Sequence, residues 1–329
     1  MLNGYRAPWW LPGGNAQTIW AALGARRHLG DPPTWRRERW ETPDADFVDV
    51  DHSTHAAPPQ APLLVLFHGL EGSSASQYAI AFADFTRAMG WAMAVPHFRG
   101  CSGELNWGPR AYHSGDFEEI DWILKRLAKQ QPARPVLAVG VSLGGNALLR
   151  WAGEMGESAA ETVKAVAAVC SPLDLAAGGH AIGQGFNRLV YTRMFLNSMV
   201  PKALEKWAQH PGLFSREALL AARDLYGFDN VFTAPLHGFR DTDDYWARAS
   251  AKPVLADIRV PALALNALND PFVPAQSLPT ASQVGRGVTL WQPAQGGHVG
   301  FPAAQGMLRF PGHVRTMPNA VGQWLLAQL

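Results

Sequence analysis

The stretch VLAVGVSLGGNALLRW, from Val136 to Trp151, decides the fold. It begins as a run of small apolar residues of strand length and ends as an apolar helical pattern, with a serine among glycines between them. Ser142, between Gly140 and Gly144, therefore lies where a buried strand turns sharply into a helix. Side chains beside such a turn would collide with the adjacent strand and helix, which explains the glycines. The sequence predicts an exposed hydroxyl at the carboxyl end of a buried strand.

Apolar runs of strand length alternate with helical patterns along much of the chain. This alternation indicates parallel strands joined by helical crossovers. Strands are predicted in PLLVLFHG, WAMAVPHFRG, PVLAVGVS, VKAVAAVCSP, PALALNALND and, near the end, VTLW. The earlier stretch WRRERWETPDADFVDVDHS predicts an antiparallel hairpin at the edge of the sheet. The fold class is therefore α/β, with a mostly parallel central sheet flanked by helices.

The alternation stops between about Asp174 and Ala251, where mostly helical, aromatic-rich sequence intervenes before the strand pattern resumes. We interpret this segment as a helical cap inserted into the α/β core. The predicted organisation is an N-terminal arm and the first part of the core in residues 1–173, the cap in residues 174–251, and the remainder of the core in residues 252–329.

Composition excludes several classes of function. The 329 residues are 47% hydrophobic and 17% charged, which suffices for a large core, and 28 Lys plus Arg against 27 Asp plus Glu leave a net charge of +1. No basic tract indicates a nucleic-acid partner. The first residues fit neither a signal peptide nor a membrane span, so we expect a cytoplasmic protein. Cys101 and Cys170 are expected to be reduced and buried, without zinc-ligand spacing.

A serine needs a base and an orienting acid before it can attack a substrate. Where a serine lies at such a strand-to-helix turn, the acid and the base follow it in the chain order Ser, Asp, His, each on a loop after a later strand. Asp270 follows the strand in PALALNALNDPFVP, and His298 lies in the glycine-flanked loop of VTLWQPAQGGHVGF. The simpler interpretations are a serine helix cap and an ordinary turn aspartate. Competing acids lie in GFRDTDDYW, at Asp241, Asp243 and Asp244.

The segment FHGLEGSS supplies a second predicted element of the site. A turn there points the backbone amide of Leu70 toward the serine, where it would act with the amide of Leu143 on a developing oxyanion. No Gly-Lys-Ser/Thr follows these glycines, and no G-x-G-x-x-G follows a strand. We therefore expect no cofactor and no metal.

These motifs together resemble the YheT-like hydrolase family of the α/β-hydrolase superfamily. The likeness runs nearly end to end and is carried by APWWLPGGNAQTIW, HGLEGSSASQY, HFRGCSGELN, RAYHSGDFEEI, GVSLGGNALLRW, FDNVFTAPLHGFRDTDDYW, NALNDPFVP and GGHVGF. The resemblance implies an α/β-hydrolase fold, esterase-like activity, and Ser142, Asp270 and His298 as the triad. One departure is Asn15, where the family's early motif has a histidine, so a contact made by that histidine would be missing here.

The most direct functional interpretation is a serine carboxylic ester hydrolase that forms an acyl-enzyme from short to medium acyl esters or lipid-like esters. An acyltransferase with the same triad and a non-catalytic ligand-binding protein of this fold stay open as alternatives, as do a monomer and a homodimer.

Two further segments are candidates for a functional role. RGCSGELN, which carries Arg99, Cys101 and Glu104, is interpreted as scaffold. The apolar stretch FNRLVYTRMFLNSMV fits an acyl-pocket wall and plain packing equally well, and it leaves weak membrane contact open. No cluster of cations is apparent for a highly charged leaving group, so the acyl chain is expected to be recognised by burial.

Overall fold

The computed structural model describes residues 2, 4–304 and 312–329. An eight-stranded sheet in the order β1-β2-β4-β3-β5-β6-β7-β8 forms its centre. The first two pairs in that order are antiparallel and the others are parallel. The predicted mostly parallel sheet and the edge hairpin are thereby confirmed. The strands are β1 (Trp35–Glu41), β2 (Phe47–Ser53), β3 (Leu63–Phe67), β4 (Ala92–Pro96), β5 (Val136–Val141), β6 (Ala165–Val169), β7 (Ala262–Leu265) and β8 (Val288–Trp291).

Helices flank the sheet and fill the long connection between β6 and β7. They are α1 (Gly13–Leu23), α2 (Gln77–Met89), α3 (Phe117–Gln130), α4 (Leu143–Met155), α5 (Leu175–Ile182), α6 (Gly185–Asn187), α7 (Arg193–Gln209), α8 (Arg216–Ala221), α9 (Leu225–Val231), α10 (Thr233–Leu236), α11 (Thr242–Ala249) and α12 (Thr316–Leu326). A π-helical turn at Arg188–Thr192 joins α6 to α7. The sequence patterns above assign no element to the residues of α1. We refer to α5 through α11 as the inserted helices.

The core lies on both faces of the sheet. Strands β3, β5 and β6 are buried along their whole length, as their uninterrupted apolar runs require. On one face Val65 of β3 belongs to a cluster with Trp151 of α4, and on the other Leu64 packs in a cluster with Phe82 of α2. Because β3 through β8 run parallel, the loops after their carboxyl ends meet at one edge. No helix within the described residues is long and apolar enough to cross a membrane.

Arg99, just after β4, anchors a buried ion network that braces this edge. Its guanidinium pairs with Asp46 at 2.9 Å and with Glu119 of α3 at 2.6 Å, and all three side chains are at most 3% exposed. It also pairs with the partly exposed Asp44 at 2.8 Å. These contacts agree with the scaffold interpretation of RGCSGELN. Both cysteines are free and buried, as predicted.

Replacing Arg99 should therefore destabilise the fold. Arg99→Met leaves the buried carboxylates of Asp46 and Glu119 without their cation, and breaking a buried pair in this way costs about 3–5 kcal/mol. The free energy of unfolding, measured by urea titration, should fall by that amount. Arg36→Met, at a largely exposed arginine 3.8 Å from Glu38, should change it by less than about 0.5 kcal/mol. Equal small effects of the two substitutions would contradict the structural role of Arg99.

Candidate active site

The turn from β5 into α4 holds Ser142 in a strained backbone conformation, with φ of 52°. The glycines around it allow backbone segments to touch. A Cβ atom at Gly140 would lie 2.3 Å from the carbonyl oxygen of Gly144, and one at Gly144 would lie 2.4 Å from the carbonyl oxygen of His68. Neither position tolerates a side chain without movement of the backbone, which is the reason for the glycines that the sequence indicated.

The three predicted side chains lie in one hydrogen-bonded row. His298 Nε2 lies 3.0 Å from Ser142 Oγ, and His298 Nδ1 lies 2.9 Å from Asp270 Oδ2. Asp270 Oδ1 also accepts hydrogen bonds from the backbone amides of Phe272, at 2.8 Å, and Val273, at 3.3 Å. Because an ionised carboxylate only accepts, Nδ1 carries the imidazole proton toward Asp270 and Nε2 is free to accept one from the serine.

The competing aspartates in the inserted helices have other partners. Asp241 caps α11 by accepting from the amide of Asp244 at 2.8 Å. Asp243 accepts from Tyr226 at 3.1 Å, and Asp244 pairs with Arg248 at 3.2 Å. None of the three has a hydrogen bond to His298 in the described part of the chain.

Two other histidines, His68 and His113, have no hydrogen bond to Ser142 among the described residues. His68 Nδ1 lies 2.8 Å from the carbonyl oxygen of Gly69, and its Nε2 accepts from the amide of Phe98 at 3.0 Å. Burial lowers the pKa of His68 to about 3 and that of His113 to about 3. Both rings are therefore neutral near pH 7.

Leu70 and Leu143, whose backbone amides are the predicted oxyanion donors, both line the cavity that contains Ser142 and His298. Neither amide donates to an acceptor among the residues that the structure describes. The turn that carries Leu70 is fixed on either side, since the amide of Gly69 donates to Tyr78 at 2.9 Å and that of Glu71 donates to Tyr112 at 3.1 Å.

The first helix, which the sequence patterns missed, packs against the histidine loop. Thr18 Oγ1 accepts from the amide of His298 at 2.8 Å, and Gln17 Oε1 accepts from the amide of Gly296 at 2.9 Å. At the position of the family departure, Asn15 Oδ1 accepts a hydrogen bond from Tyr191 at 2.9 Å, so this residue joins α1 to the inserted helices. In the sequence, the motif GGNAQT, part of the family resemblance, is the signal that marks these residues.

A partly open cavity of about 160 Å³ lies above Ser142, which is one of its lining residues. The inserted helices form much of its wall, and most of the side chains that they supply are apolar. These side chains include Leu175, Ile182, Phe195, Met199, Leu225, Phe228, Phe232 and Trp246. Phe272 contributes from the acid loop and packs on the imidazole, with 4.1 Å between the ring centroids of Phe272 and His298.

The apolar stretch FNRLVYTRMFLNSMV runs from α6 through the π-helical turn into α7, and its side chains lie in two environments. Phe195 and Met199 line the cavity, whereas Tyr191 is buried beside Phe272, with 4.5 Å between ring centroids. Three other apolar residues are half-exposed or more on the surface: Phe186 is 51% exposed, Leu189 74%, and Met194 53%. Only part of this stretch therefore forms a pocket wall.

The expectation that no cations cluster here was wrong. Arg99, Lys202 and Lys206 all line the cavity, because the chain brings α7 against the loop after β4. Each has partners: Lys202 pairs with Glu71 at 2.9 Å, and Lys206 Nζ donates to the carbonyl oxygens of Asn106 and Gly108 at 2.6 and 2.7 Å. Burial lowers the pKa of Lys206 to about 8.

Within the described residues, no group of three or more histidine, cysteine or acidic side chains could hold a metal ion.

Sequence comparisons identify the fold family and the relatives of this chain. The family model for the alpha/beta hydrolase fold matches residues 62–303. The chain is 39% identical over 279 residues to "Putative esterase YheT" of Escherichia coli (strain K12), a match that covers 84% of this chain and 81% of that protein. It is 28% identical over 303 residues to "Phospholipase ABHD3" of Homo sapiens, with 86% of this chain and 72% of that protein covered.

Solved structures share the fold at low sequence identity. An esterase of Pyrococcus furiosus, Pf2001, superposes with a TM-score of 0.54 at 14% identity, covering 93% of this chain and 96% of that one. DcsB in complex with its substrate analogue superposes with a TM-score of 0.57 at 14% identity, covering 90% of this chain and 99% of that one. With the family match over residues 62–303 and the likeness to the Escherichia coli protein, the chain belongs to the YheT-like family of the α/β-hydrolase superfamily.

Proposed function

We propose that the chain is a serine carboxylic ester hydrolase with Ser142 as nucleophile, His298 as general base and Asp270 as orienting acid. The observation that carries this proposal is the continuous row of hydrogen bonds from Ser142 Oγ through both imidazole nitrogens to a buried carboxylate. The names of the relatives, an esterase and a phospholipase, support the same reaction class.

In the first half of the reaction Ser142 Oγ attacks the ester carbonyl carbon and His298 Nε2 takes the hydroxyl proton. The carbonyl oxygen becomes an oxyanion, which accepts hydrogen bonds from the amides of Leu70 and Leu143. Collapse of the tetrahedral intermediate breaks the bond to the alcohol, and His298 returns the proton to the departing oxygen. The acyl group is then esterified to Ser142.

Water completes the cycle by attacking the acyl-enzyme. His298 Nε2 takes a proton from the water, the same amides hold the second oxyanion, and the proton passes to Ser142 Oγ as the acid leaves. Asp270 keeps the proton of His298 on Nδ1 and stabilises the imidazolium that forms twice in each turnover. The amides of Phe272 and Val273 keep the carboxylate turned toward the ring.

We further propose that the substrates are short to medium acyl esters, with residues 174–251 acting as the cap over the acyl site. The cavity above Ser142, of about 160 Å³, is similar in volume to an engineered apolar cavity of roughly 150 Å³ in another protein that binds benzene. A chain of about six carbons has a comparable size. The charged groups along the wall have protein partners, so burial of the chain supplies the recognition.

Ser142→Ala should abolish ester hydrolysis and labelling by a fluorophosphonate probe while the protein stays folded. Loss of a triad nucleophile lowers turnover by roughly 10⁴ to 10⁶. The measurement is hydrolysis of p-nitrophenyl butyrate together with the melting temperature. Ser158→Ala, at an exposed serine beyond α4, is the control and should be fully active. A Ser142→Ala enzyme with a tenth of the original rate would show that another residue attacks.

Asp270→Asn should lower kcat by about 10⁴, because the amide favours the wrong imidazole tautomer. The comparison is with Asp243→Asn in the exposed cluster on α11, which should retain its rate. Steady-state kinetics of both variants on the same ester decide between the acids. An active Asp270→Asn enzyme beside an inactive Asp243→Asn enzyme would reverse the assignment.

Activity should rise with acyl length and then fall. Each buried methylene contributes at most about 0.8 kcal/mol, close to fourfold in kcat/KM, until the space is filled at about six carbons. The measurement is kcat/KM for p-nitrophenyl esters from acetate to laurate. Met199→Trp, which fills the cavity, should move the optimum to a shorter chain, whereas Met194→Trp on the exposed side of the same helix should not. A flat profile in the unsubstituted protein would exclude the acyl pocket.

A further inference from the structure

We propose that Thr18 and Gln17 of α1 are positioning residues that set the place of His298 for reaction with Ser142. The inference rests on the proposed function, because it assigns α1 the role of positioning the catalytic histidine. The known esterase machinery of serine, histidine, aspartate and two amides does not include these two residues.

Thr18 holds the backbone of His298 directly. Its Oγ1 donates to the carbonyl oxygen of Gly14 at 2.7 Å, within its own helix, and accepts from the amide of His298 at 2.8 Å. The hydroxyl proton is thus fixed along the helix and the lone pairs face the loop. The amide that carries the imidazole is therefore tied to a rigid element 280 residues earlier in the chain.

Gln17 ties the histidine loop to the acid loop. Its side chain is fully buried, and its Oε1 accepts from the amide of Gly296 at 2.9 Å and from Asn269 Nδ2 at 3.0 Å. Its Nε2 donates to the carbonyl oxygen of Leu11 at 3.0 Å. Asn269 Oδ1 in turn accepts from the amide of Gly297 at 3.0 Å. The residues beside Asp270 and His298 are thereby joined through one glutamine.

The backbones of α1 and of these loops lie in direct contact. A Cβ atom at Gly14 would lie 1.8 Å from the carbonyl oxygen of Asn269, and one at Gly300 would lie 2.6 Å from that of Gln17. A Cβ atom at Gly297 would lie 2.8 Å from Thr18 Oγ1. Glycines on both sides let the backbones meet, so a shift of the helix is passed to the loop.

The histidine loop needs such support because its own backbone is strained. Val299 and Phe301, immediately beyond the histidine, have φ of 56° and 43°. Non-glycine residues keep such conformations only where the surrounding structure imposes them. Around His298 that structure includes α1, so loss of a single hydrogen bond from the helix frees the loop to relax and the imidazole to move.

The test is Thr18→Val, which preserves shape and removes the acceptor. A displacement of about 1 Å lowers a rate by up to roughly 10², so kcat and the rate of fluorophosphonate labelling at Ser142 should fall by about that factor, while KM changes by less than about threefold. Thr18→Ser, which restores the hydroxyl, should recover most of the rate.

The matched control is Thr86→Val in α2. Thr86 is a fully buried helical threonine whose hydroxyl donates to the Ala83 carbonyl oxygen of its own helix at 3.1 Å. It should lower the melting temperature much as Thr18→Val does and leave kcat unchanged. If Thr18→Val does not fold, Gln17→Met takes its place with the same expected split between kcat and KM.

Equal kcat values in Thr18→Val, Thr86→Val and the unsubstituted protein would overturn the proposal, and so would a failure of Thr18→Ser to recover activity. Ser142→Ala, assayed beside them, separates the two levels. An inactive Ser142→Ala variant with a fully active Thr18→Val variant rejects only the positioning role. Persistent activity in Ser142→Ala rejects the proposed function itself.

Discussion

The close approach of backbones at the turn from β5 into α4 is the constraint on which the site depends. The atoms around Gly140 and Gly144 leave no room for Cβ atoms, and Ser142 between them adopts a positive φ. Conformational strain at one residue is stable only when a rigid surrounding holds it, and here β5 is buried along its whole length and pairs with a strand on each side. The hydroxyl is thereby held above the carboxyl edge of the sheet, where the later loops meet it.

Those later loops are less constrained by the sheet than the serine is. Asp270 follows β7 closely and gains two backbone hydrogen bonds from its own loop, whereas His298 lies seven residues after the end of β8 in a loop with positive φ values. The contact from α1 makes up for this distance. Support for the histidine thus comes from a segment that precedes the whole sheet, which gives the N-terminal arm a physical reason to be retained in the fold.

The parts of the structure that follow local rules could be predicted from the sequence. Buried strands, their alternation with helices, the edge hairpin and the glycine turn at Ser142 each have a pattern of a few residues. Ser142, Asp270 and His298 were candidates on the same basis, because parallel strands bring the loops after them together. Helix α1 was missed because its sequence, GGNAQTIWAAL, opens with two glycines and mixes polar and apolar residues. The role of Gln17 depends on partners near position 296, and no local pattern encodes such a distant contact.

The cavity wall illustrates the same limit for charge. Lys202 lies 131 residues after Glu71 in the sequence and Lys206 lies 100 residues after Asn106, and these pairs meet only because the fold brings α7 against the loops after β3 and β4. Once there, each ammonium is held by an acceptor, since an unpaired buried charge would cost several kcal/mol. Among the described residues, the three basic side chains that line the cavity all have protein acceptors, and most of the other side chains in its wall are apolar. A count of charges along a pocket is therefore a poor guide to its ligand until each charge has been matched with its protein partner.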